Sequence, residues 1–92
     1  MNPKDYTEGR IRFYKIKESH LKGLNQVNEA TVKEINDILA EPGIKVKYPP
    51  RIISQMTEYR DLLIKTIDQS GPVIDILEET IDDMRVINQN LN

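Results

Sequence analysis

From Arg51 to Leu91 apolar residues recur at alternating steps of three and four. With heptad position a at Ile53, the a series is Ile53, Arg60, Ile67, Ile74, Ile81 and Asn88. The d series is Met56, Leu63, Ser70, Leu77, Met84 and Leu91. Such spacing marks a helix that packs along a seam. The g series (Ile52, Tyr59, Thr66, Val73, Thr80, Ile87) is also partly apolar, so the stripe is wider than a two-stranded coiled coil needs. A bundle of three or more helices is the expectation. Leu62, Ile64 and Ile76 lie outside even this stripe and imply contact on more than one side.

Ser70-Gly71-Pro72 interrupts the run. Proline inside a helix costs roughly 3 kcal/mol and glycine roughly 1 kcal/mol. The same three residues suit a turn: Gly ends one helix and Pro opens the next. Against this, Thr66-Ile67-Asp68 returns in phase as Val73-Ile74-Asp75 and Thr80-Ile81-Asp82, and Pro72 falls at the outward f position. The expectation is a helix–turn–helix hairpin over 51–91. The alternative is one kinked helix of about forty residues, about 60 Å long. A monomer of this size could not cover that helix, so the alternative implies oligomerisation.

Upstream, Ile11, Phe13, Tyr14 and Ile16 interleave with Arg10, Arg12, Lys15 and Lys17, a strand signal preceded by a polar, frayed start. A helical region over 19–41 follows. Ser19 is the expected N-cap, Leu21, Leu24 and Val27 form one face, and Thr31–Glu34 reads as a capping box restarting the helix. Val32, Ile35, Ile38 and Leu39 continue it, as one bent helix or two short ones, to about Ala40, where Glu41-Pro42-Gly43 stops it. Ile44, Val46 and Tyr48 alternate with Lys45 and Lys47 as a second short strand, ended by Pro49 and Pro50. The predicted fold is mainly α: one small domain, a helical bundle or hairpin with one or two short extended segments, at 1–18 and 44–50.

Composition narrows the chemistry. The 92 residues hold no Cys, no Trp, one Phe and one His, so the core is thin and aliphatic and has no disulfide. Residues 1–51 carry ten Lys/Arg against seven Asp/Glu, and 52–92 carry three against eight. No apolar run is long enough for a membrane span and no secretion signal opens the chain, so a cytoplasmic protein without membrane contact is expected.

No catalytic set appears. His20 has neither a nucleophile nor a second base near it in sequence. Asp75, Glu78, Glu79, Asp82 and Asp83 lack the histidines of a di-iron bundle and the calcium-loop pattern. All four glycines are isolated, which excludes phosphate loops. No enzyme, metal or cofactor is predicted.

The segment RIRFYKIKESHLKGLNQV resembles the opening strand and first helix of GNAT-type acyl-CoA N-acetyltransferases. The pyrophosphate loop of that family, Q/R-x-x-G-x-G/A, has no counterpart in the chain, so no residue role is carried over.

The expected function is association through helices, with the chain itself or with a larger host protein that it regulates or inhibits. The candidate partner interface is Ile53, Met56, Leu63, Ile67, Ile74, Leu77, Ile81 and Met84, and its competing role is plain intramolecular core. The b-position row Asp61, Asp68, Asp75 and Asp82 is a candidate docking face for a basic partner. The alternative function is nucleic-acid binding through Arg10, Arg12, Lys15 and Lys17, with Phe13 and Tyr14 as stacking rings and the helices as dimerisation device. If the two strands pair, Lys45, Lys47 and Arg51 would join that patch.

Overall fold

The structure, a computed structural model, describes residues 2–91. Two long helices account for most of it: α1, Pro3–Leu39, and α3, Pro50–Gln89, with the one-turn α2, Ile44–Lys47, between them. Within each unit a length of α1 packs antiparallel against a length of α3, as in a helical hairpin. Two compact units divide the chain. One joins the chain up to Gly23 with the chain from Ser70 onward, and the other is Leu24–Gln69. Each unit therefore holds a length of α1 against a length of α3.

α1 starts far earlier than its sequence suggests. Asn2 caps it: the Lys4 N–H donates to Asn2 Oδ1 at 2.9 Å. Pro3 then takes the first helical position, where a missing N–H removes nothing. The expected frayed start is helical from Pro3, with Met1 outside the described residues, and the strand expected at 10–17 is helical too. Ile11 and Tyr14 are three apart, so a short alternation also fits a helix, and Arg and Lys between them are good helix formers. Ser19 caps nothing, since it lies inside α1. The Thr31 hydroxyl donates back to the Val27 carbonyl at 3.0 Å, so Thr31 is no N-cap, and of one helix or two short ones over 19–41 the chain forms one.

The stop after Leu39 is as expected. Gly43 sits at φ 75°, a left-handed conformation that costs a side-chain-bearing residue about 1 kcal/mol or more. The second predicted strand is instead the single turn α2. Ile44 is buried at its start, whereas Val46 is 91% exposed. A Lys47–Glu41 ion pair at 3.5 Å spans the turn. No strand occurs among the described residues, so neither the pairing of two extended segments nor the basic patch that depended on it exists.

α3 is one helix of forty residues with Pro72 inside it, so the helix–turn–helix expected over 51–91 is not formed. In each unit a length of α1 covers the a/d seam of this helix. Among the described residues buried apolar side chains are few: Ile11 and Ile81 in one unit, Ile35 and Ile44 in the other.

Candidate interaction surface

Burial on α3 repeats every three and four residues. Every a and d position from Ile53 to Asn88 is covered, whereas Ile52, Tyr59, Thr66, Val73 and Ile87 at g are exposed. α1 shows the same period with a at Lys4, Ile11, Glu18, Asn25, Val32 and Leu39, and d at Thr7, Tyr14, Leu21, Asn28 and Ile35. All eleven are covered. Thr7, buried at d, donates its hydroxyl to the Pro3 carbonyl at 2.8 Å and so keeps its polar atom satisfied.

This α1 seam escapes a reading of apolar spacing because Glu18, Asn25 and Asn28 stand on it. Leu24 and Val27, which look like core, are 46% and 62% exposed. The eight residues Ile53, Met56, Leu63, Ile67, Ile74, Leu77, Ile81 and Met84 all lie on the covered seam of α3.

Polar contacts fix the register inside each unit. In one, Lys22 Nζ meets Glu78 at 2.8 Å, and both residues are e positions. In the other, Arg60 Nη1 donates to Asn36 Oδ1 at 3.1 Å while its remaining donors hold Asp61. Reversing one helix exchanges its flanks, so in an antiparallel pair e meets e and g meets g. The e flank of the first unit is a charged groove of about 370 Å³ lined by Lys15, Glu18, Lys22, Glu78, Ile81 and Arg85.

The g flank is different. With the neighbouring c positions it forms a second stripe at heptad spacing on both helices. In the first unit it carries Tyr6 and Phe13 from α1 and Val73, Ile76 and Ile87 from α3. In the second it carries Leu24 and Val27 from α1 and Ile52, Tyr59 and Leu62 from α3. All ten are exposed. Of the three residues that fall outside a, d and g, Leu62 and Ile76 belong to this flank, whereas Ile64 is exposed at e on the other one.

The charged candidates separate. Arg10 and Lys17 share the g flank with Phe13, their cations 5.0 Å and 5.3 Å from its ring centre. Arg10 also reaches the Tyr14 hydroxyl at 3.3 Å. Arg12 and Lys15, at b and e, lie on the other side of α1, so the four cations do not make one patch. Asp61, Asp68, Asp75 and Asp82 are all exposed on α3, with Asp61 held by Arg60 and Asp82 by Arg85 at 3.3 Å. His20 is exposed in mid-helix. Among the described residues there is no cluster of His, Cys, Asp or Glu able to hold a metal, and no helix long and apolar enough to cross a membrane.

The Lys22–Glu78 pair has a pH signature. The hydrogen bond from Lys22, aided by its charge, holds the Glu78 carboxyl below its ordinary range. The hydrogen bond to Glu78, with Glu18 adding charge, holds Lys22 above its own. A lowered carboxylate stabilises the fold above its ordinary titration range and loses that contribution as pH falls through the depressed value. Both side chains are about half exposed, so the effect is small. Denaturation midpoints of the wild type and Glu78→Gln should therefore converge as pH falls below the ordinary carboxylate range; curves that stay parallel would mean the bridge contributes nothing.

Comparison of the chain with family models, curated proteins and solved structures finds no match.

Proposed function

We propose that this protein works by non-enzymatic association with another protein chain, through the c/g flank rather than through the a/d seam. One observation carries the reading. In each unit five large apolar side chains stand exposed at heptad spacing on the same flank of α1 and α3, while the seam residues are covered. An exposed apolar face is costly in water and marks an interaction site. Its spacing suits further helices, as in a bundle. A regulator that docks a helical face on its target would use such a surface.

A photo-reactive residue placed at Tyr59 or Ile76 tests this in cells. Cross-links to a protein, of whatever identity, are expected from these c/g positions and not from Asp68 or Asp75 at b. Cross-links from Asp68 and Asp75 alone would move the interface to the acidic row. Silence at all four positions would overturn the reading.

A further inference from the structure

We infer that the chain covering this flank is a second copy of the same protein, docked about a two-fold axis parallel to the helices. The inference rests on the association reading above and names its partner. Three observations carry it.

The first is charge. In the unit that contains both ends of the hairpin, α1 contributes Lys4, Arg10, Arg12, Lys15, Lys17 and Lys22 against Asp5, Glu8 and Glu18. α3 contributes Asp75, Glu78, Glu79, Asp82 and Asp83 against Arg85. On and beside the apolar flank the cations are Arg10 and Lys17 of α1, and the anions are Glu79 and Asp83 of α3. A two-fold axis along the helices lays α1 of one copy over α3 of the other. The surface then faces its own complement, as an isologous interface requires. Neighbouring helices would all be antiparallel, the commonest layout of a four-helix bundle with short loops.

The second is register. The Lys22–Glu78 contact puts these two residues level in the unit. Lys17 lies five residues before Lys22 and Asp83 five after Glu78, so Lys17 is level with Asp83. An axis parallel to the helices keeps levels unchanged. Lys17 of one copy therefore meets Asp83 of the other, twice per dimer.

The third is area. Half-exposed large apolar side chains leave on the order of 100 Å² each, so the five in each unit offer roughly 500 Å². A stable dimer needs about 800 Å² from each partner. In each unit the apolar side chains therefore supply more than half of such a face, and the polar rim adds to it.

The test is absolute mass by light scattering at low salt, with helix content checked by circular dichroism. The wild type should show twice the chain mass of 10.7 kDa. Lys17→Glu should weaken the dimer at least tenfold, and so should Asp83→Lys. The two changes combined should restore the wild-type dissociation constant, because each contact is again a pair of opposite charges. Both positions are exposed, so helix content should not change. A monomeric wild type, an assembly larger than two, or a double variant no better than the singles overturns the proposal. A monomer that still cross-links a different protein from Ile76 leaves the association reading standing and removes only the second copy as partner.

Discussion

Replacing Pro72 by Ala should stabilise the protein by about 3 kcal/mol. The residue lies inside α3 with its ring on the exposed side of the helix. Proline there removes the N–H that would bond the Asp68 carbonyl, and its ring crowds that carbonyl. Alanine restores the donor and is the best helix former. For a domain of this size, 3 kcal/mol raises Tm by roughly 12–24 °C. Gly71→Ala should add about 1 kcal/mol, because a Cβ at that position meets nothing within 4 Å. Thermal unfolding followed by circular dichroism reads both changes. The sign is diagnostic. If the chain turned at Ser70-Gly71-Pro72, proline would be well placed as the first residue of a helix, and alanine would be neutral or harmful. A Tm that stays level or falls in Pro72→Ala would therefore rule out the through helix.

The same segment shows why local chemistry misled. The break signal at Gly71-Pro72 is a sum of two local costs, about 4 kcal/mol. It is outweighed by something spread over the whole helix: a seam that stays in phase from Ile53 to Asn88 and finds α1 beside it on both sides of the proline. Pro72 at f costs a hydrogen bond but intrudes on no packing. The in-phase repeat of Ile67, Ile74 and Ile81 was the better guide, because only a continuous helix keeps those three on one line.

α1 was hidden for the opposite reason. Its heptad is regular, but Glu18, Asn25 and Asn28 occupy seam positions where apolar residues are sought, and Leu24 and Val27 are apolar where the helix faces outward. A search for apolar spacing finds the wrong face in the middle of α1 and a strand at its start. Treating Ile11, Tyr14, Leu21, Val32, Ile35 and Leu39 as one series with gaps would have recovered it. The wide a/d/g stripe of α3 proved to be two stripes. The a/d part is covered by α1; the g part joins c to form the exposed flank, and Leu62 and Ile76 already marked it.

Shortening Ile81 to Ala should cost about 3 kcal/mol, within the 2–5 kcal/mol found for large-to-small changes in cores. Among the described residues Ile81 is the most covered apolar side chain, at 3% exposure, and only Ile11, Ile35 and Ile44 join it as buried. With so few buried residues, the loss is a large share of a small domain's stability of about 5–15 kcal/mol. Val86→Ala is the matched control. Val86 is 57% exposed at the outward f position, off the c/g flank, and alanine is the better helix former, so the change should fall within about 0.5 kcal/mol of zero. Urea unfolding of both variants, at one chain concentration, gives the comparison. Ile81 and Val86 are five residues apart on one helix and both aliphatic. Only the seam distinguishes them. Equal losses in the two variants would sink the heptad assignment, and with it the division of α3 into a covered seam and an exposed interaction flank.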